Sequence, residues 1–212
     1  MVVDLTRPLT ILVNPQAQLR EIGSCYLSGQ VLKELKEMNT SDWLWNELHY
    51  LFDTNDGSLP EIHVNYTNAE ATVEGYALIR QRASRVVTES PYFWSKIYSK
   101  EMPLDSVENA ARLVVSEEAE CFHVVFGGIR YENFTIPDLG VYVFTDQLAL
   151  DYRMGDEWGP GELNALFLLL AKLVHLDTEA NLSLEKHVPP SIHAHFHNCW
   201  QLWISKHNLR SH

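Results

Sequence analysis

The densest group of side chains able to hold a metal ion lies near the C-terminus, where His193, His195 and His197 alternate and Cys199 follows. On an extended strand the three imidazoles would share one face and could chelate Zn²⁺. The apolar residues around them, Ile192, Phe196, Cys199, Trp200 and Trp203, instead follow a helical stripe. On a helix, His193 and His197 stack one turn apart while His195 points away from both. Two histidines at that spacing make half a zinc site, so a third ligand such as His187, His123 or a carboxylate must come from elsewhere in the fold. A helical metalloprotease motif needs glutamate directly after its first histidine as general base, and Ala194 stands there. His193 and His197 are thus the candidate ligands for a divalent metal, and nothing else in the chain calls for a cofactor.

A second group runs from Asp151 to Trp158. Asp151, Asp156 and Glu157 come off the end of a predicted strand into a loop that precedes an apolar helix. Paired carboxylates can move protons or hold Mg²⁺. Loops at rigid junctions also carry recognition, and a tryptophan beside acids suits an interface. Asp151, Asp156, Glu157 and Trp158 are therefore expected to contact a partner. The phosphate-cradling G-x-x-x-x-G-K-S/T, the dinucleotide G-x-G-x-x-G and the nucleophile elbow G-x-S-x-G do not occur, and Gly23-Ser24-Cys25 lacks the setting of a cysteine nucleophile.

The elements that must position these groups are legible in the hydrophobic pattern. Leu9 to Val13 suits a short strand and Gln30 to Met38 a short helix. Ser41 suits the N-cap of a helix carrying Leu44, Trp45, Leu48, Leu51 and Phe52, which Asn55, Asp56 and Gly57 end. Glu61 to Tyr66 alternates as a strand. Thr67 and Glu70 have capping-box spacing ahead of a helix from about Ala69 to Val87, whose Arg80, Arg82 and Arg85 would pair with Glu70 and Glu74. Asp105 and Glu108 repeat that spacing before Val107, Ala110, Ala111 and Val114. The aromatic stretch Pro91 to Lys100 fits neither period. Strands then follow at Phe122 to Phe126, Ile129 to Phe134, Val141 to Phe144 and Leu148 to Arg153, with Gly127-Gly128 as a two-residue hairpin turn. From Leu163 to Val174 only Asn164 and Lys172 are polar, so that helix must be enclosed on most sides. Pro189-Pro190-Ser191 opens the last helix. Grouped strands flanked by helices predict one α+β domain over residues 1–212, an antiparallel sheet (a meander around 121–153) packed with several α-helices.

The net charge of −12 sets the partner class. It excludes general nucleic-acid binding, which needs clustered Lys and Arg, and favours a protein partner with a basic surface. The longest apolar run is too short for a bilayer span, and Met1 to Asn14 lack the basic start of a secretion signal. Three scattered cysteines predict free thiols in a reducing, cytoplasmic setting. The function expected is a non-catalytic acidic protein-binding domain of the inhibitor or immunity type, with a homo-oligomer left open. The alternatives are a metal-dependent hydrolase built on the C-terminal histidines and a small-molecule pocket between sheet and helices.

Overall fold

The computed structural model describes residues 42–207. The strand expected at Leu9 to Val13, the helix at Gln30 to Met38, the cap at Ser41 and Cys25 lie outside the described residues. A helix α1 (42–48) passes through a 3-10 turn (His49–Leu51) and a connector to strand β1 (Glu61–Asn65). Helix α2 (Ala69–Arg82), the two-residue strand β2 (Arg85–Val86) and the hairpin β3 (Tyr92–Ser95) with β4 (Lys100–Pro103) follow. Next come α3 (Ala110–Val115), β5 (Phe122–Gly127), the hairpin β6 (Ile129–Tyr131) with β7 (Phe134–Ile136), β8 (Leu139–Val143) and β9 (Gln147–Tyr152). Helix α4 (Pro160–Val174), β10 (Asn181–Leu184) and α5 (Pro190–Lys206) complete the α+β fold.

Six strands form one sheet in the order β10-β1-β9-β8-β5-β2, every pair antiparallel. Period-2 alternation puts one set of side chains on a single face. The register aligns Leu184, Ile62, Leu150, Val141 and Val124 in one row, and Val64, Leu148, Val143 and Phe122 in the next. All of these are buried. Branched and aromatic side chains packed across strands in this way are the main stabilising unit of a sheet.

Helix α4 is the centre of the core. Leu163, Ala165, Leu166, Phe167, Leu169, Leu170 and Leu173 are all buried, so the apolar surface wraps around the axis. Pro160 sits in the first turn, where a missing N–H costs nothing. At Gly75 α2 runs so close that an added Cβ would press on the Tyr66 hydroxyl, Leu148 and Leu173, bringing the strand, α2 and α4 together. On the side of α5, Phe167 meets Phe196, Trp200 and Trp203 with ring centroids 5.6 to 5.9 Å apart. The polar Asn164 is satisfied there, because Trp203 Nε1 donates to its Oδ1 at 3.0 Å.

Several local expectations change. Gly127-Gly128 does not turn a hairpin: β5 pairs with β8 and β2, while the positive φ of Gly128 (+71°) steers the chain out of the sheet into β6–β7. That hairpin packs against α4 and covers it. Asn68, not Thr67, caps α2, its side chain accepting from the Glu70 N–H. α2 ends at Arg82, and residues 85–86 become the edge strand β2. The basic cluster disperses. Arg80 donates to the Glu108 carbonyl, Arg82 lies over the Tyr131 ring, Arg85 pairs with Asp138, and Glu70 is held by Arg112.

Thr67 has another partner. Asp177 Oδ2 accepts from the Thr67 N–H (2.6 Å), the Thr67 hydroxyl (2.9 Å) and the Asn68 N–H (3.0 Å), while its Oδ1 accepts from the Glu179 N–H (3.0 Å). These donors, the Glu179 and Thr67 amides foremost, lower its pKa to about 2. A depressed carboxyl pKa adds stability above its unfolded value of about 4, and that stability is lost as pH falls through the folded value. Asp177→Ala should therefore lower the melting temperature at pH 7, by an amount that shrinks as pH is taken from about 4 towards 2. A pH-independent difference would assign the effect to packing. Phe167→Ala should cost about 3–5 kcal/mol in urea unfolding, as expected for an aromatic lost from an enclosed site.

Candidate functional site

The residues expected to act together at 151–158 separate. Asp151 is the penultimate residue of β9, on the face of the sheet away from α4. Trp158 is buried, lies 4.9 Å from the Phe52 ring and 5.3 Å from Tyr152, and donates to the Arg153 carbonyl. Asp156 and Glu157 remain on the exposed turn.

Asp151 instead belongs to a polar array across the sheet's second face. Glu61 and Asp151 are register partners on neighbouring strands, a like-charge placement that is unfavourable when left uncompensated. The two carboxylates turn apart, each to a histidine. His63 Nε2–H donates to Glu61 Oε2 at 2.7 Å, and His123 Nε2–H donates to Asp151 Oδ1 at 2.8 Å. Asp151 reaches its histidine by leaning across Gly140, where any Cβ would occupy the space of the carboxylate. Tyr142 stacks on His123 with ring centroids 4.2 Å apart. Each carboxylate orients an imidazole, as in proton-transfer pairs.

His123 also opens onto a cleft of about 420 Å³ between β5 and the β3–β4 hairpin, lined among others by Glu89, Tyr92, Trp94, Glu101 and Glu120. The hairpin is firmly seated. Phe93 and Ser95 are buried, the Lys96 N–H donates to the Glu118 carbonyl, and the Glu120 N–H donates to the Trp94 carbonyl. Its other face displays Tyr92 (52% exposed) and Trp94 (42%), its turn displays Ile97 (59%) and Tyr98 (66%), and Val86 is exposed beside Tyr92. The aromatic richness of Pro91 to Lys100 was the available signal. It gives no period because only Phe93 of its four aromatics enters the core.

Residues 190–206 are helical, so His193 and His197 do lie one turn apart. Among the described residues no third ligand is grouped with them. His193 Nε2–H donates to the Glu185 carbonyl, and His197 is exposed at the rim of a hollow of about 530 Å³ that also includes His175 and Asp177. His195 is the histidine that gathers other ligand atoms, those of Glu47 and Cys199. Among the described residues no helix is long and apolar enough to cross a membrane.

Comparisons with protein-family models, with curated proteins and with solved structures give no match. Function must therefore be argued from the chemistry of the sites. For the sheet array, Gly140→Ala should lower stability by roughly 1–3 kcal/mol by displacing the Asp151 carboxylate. In an Asp151→Ala background the same change should be close to neutral. Additive effects of the two substitutions in urea unfolding would show that Gly140 is not there to admit Asp151.

Proposed function

We propose that this chain is a non-catalytic binding domain that takes up a basic, partly apolar segment of a protein partner on the β3–β4 hairpin and the cleft beneath it. The exposed apolar face of the hairpin carries the reading. Several large apolar side chains exposed on one short hairpin suit a contact surface, and tyrosine and tryptophan are the usual anchors of interfaces. The hairpin is held by buried Phe93 and by backbone bonds to residues 118–120, so little order has to be gained on binding.

Charge selects the partner. Glu89, Glu101 and Glu120 line the cleft and Asp105 borders the adjoining hollow, on a chain of net charge −12. Carboxylates around aromatic anchors suit Lys and Arg interspersed with apolar residues, and they accelerate encounter with a positive surface. An inhibitor or immunity role requires this kind of occupancy. The reading keeps the expected chemistry of acids with aromatics and moves it from residues 151–158 to the hairpin, because Trp158 is enclosed and Asp151 is engaged by His123.

A labelled peptide of alternating lysine and leucine should bind, and its glutamate–leucine counterpart should not. Trp94→Ala with Tyr98→Ala should weaken binding about tenfold or more. Glu101→Lys with Glu120→Lys should weaken it further at low salt than Asp156→Lys with Glu157→Lys, which changes the net charge equally at another place. Equal losses from the two charge pairs would reduce the attraction to net charge and overturn the hairpin as the site.

A further inference from the structure

We propose that Glu47, His195 and Cys199 form a binding site for a thiophilic divalent cation, Zn²⁺ in the first instance, that ties α1 to α5. This lies away from the hairpin cleft: α5 packs against β10, at the opposite edge of the sheet from β2. One oxygen, one nitrogen and one sulfur ligand atom lie within 4.8 Å of one another. Glu47 Oε2 is 3.2 Å from His195 Nε2, and Cys199 Sγ is 3.8 Å from the same nitrogen. A tetrahedral zinc ion with bonds of about 2.0–2.3 Å places neighbouring ligand atoms roughly 3.3–3.7 Å apart. The two edges that meet at His195 are therefore close to those of a coordination tetrahedron, and the third, within 4.8 Å, closes with a small side-chain movement.

The helix geometry explains the trio. His195 and Cys199 are four residues apart on α5, so they stack on one face. Cys199 is buried beside Trp200 and Trp203, which fixes that face, and the last turn of α1 brings Glu47 against it. Glu47 supplies negative charge beside the two α5 ligands. Burial first, and then the negative charge of Glu47, push the Cys199 thiol up to about 11. Burial, Cys199 and Glu47 likewise raise the Tyr50 phenol. An ion would replace the thiol proton and neutralise the carboxylate at the same point.

The protons balance simply. The His195 Nε2–H now donates to the Glu47 carbonyl at 3.2 Å. On coordination His195 takes the Nδ1–H tautomer and offers its Nε2 lone pair, the Cys199 thiol gives one proton to solvent, and Glu47 binds through a carboxylate oxygen. Three protein ligands leave a fourth position for water. Sulfur and imidazole in the set select Zn²⁺ or Co²⁺ over Mg²⁺ or Ca²⁺.

The test uses the full chain without an affinity tag, stripped with a chelator and titrated with Co²⁺. Absorption should saturate at one ion per chain with a sulfur-to-cobalt charge-transfer band that Zn²⁺ displaces, and Zn²⁺ should raise the melting temperature. Cys199→Ala should abolish the band. Glu47→Gln and His195→Gln, at half-exposed side chains where folding is not at stake, should weaken affinity at least about tenfold. Cys121→Ala and the pair His193→Gln with His197→Gln should leave it unchanged. Absence of a saturable band in folded protein, or a band that survives Cys199→Ala or Glu47→Gln at full affinity, overturns the proposal.

Discussion

The need to enclose α4 on almost every side organises the molecule. A helix with leucine, alanine or phenylalanine around most of its circumference is stable only where other elements cover it. Sheet and α2 supply one side, meeting at Gly75, Leu148 and Leu173. The aromatic run on α5 supplies another through Phe196, Trp200 and Trp203. The β6–β7 hairpin supplies a third, and to reach α4 it has to leave the sheet at Gly128. This is why two strands that look like part of a continuous meander pair only with each other. The meander resumes when β8 returns beside β5.

Because the apolar cover collects on one face, the other face of the sheet is left to polar residues. Antiparallel sheets commonly divide this way. The division brings Glu61 and Asp151 opposite each other, and the fold accommodates both by giving each an imidazole. Asp151 is the more enclosed of the two, at 8% exposure, so its hydrogen bond matters more. Gly140 is part of that solution, as the only residue type that leaves room for the carboxylate to cross its strand. An acid that reads as a partner contact at a strand end is in consequence committed to the sheet.

Elements with strong periodicity were legible from residues alone. β1 and β9 follow from alternation, α4 from its nearly uninterrupted apolar run, and α5 from Phe196, Cys199, Trp200 and Trp203 after two prolines. The misses have physical causes. β10 is an edge strand of four residues, Asn181–Leu184, whose alternation is too short to stand out. Thr67 has capping-box spacing, but Asp177, more than a hundred residues away, captures its hydroxyl, and Asn68 becomes the cap. The two glycines at 127–128 permit a hairpin turn without demanding one, and the tertiary requirement at α4 decides. Among the histidines, helical spacing separates His195 from His193 and His197 correctly. It cannot disclose that His195 faces Glu47 on another helix.

The tryptophans show the same limit and bear on the proposed interaction surface. Trp158, Trp200 and Trp203 are buried, while Trp94 stands exposed on a hairpin whose alternate residue, Phe93, is buried. Composition treats these rings alike, and only tertiary packing separates them. An exposed aromatic on a mobile loop would give up much of its contact energy to ordering on binding. Trp94 instead has its own carbonyl bonded to Glu120, and Lys96 on the same hairpin is bonded to Glu118, so the ring is presented on fixed backbone. The same short segment places Glu120 in the cleft wall. The bond that holds the aromatic therefore also positions an acid beside it, and the proposed recognition of a basic apolar segment needs both at a fixed distance.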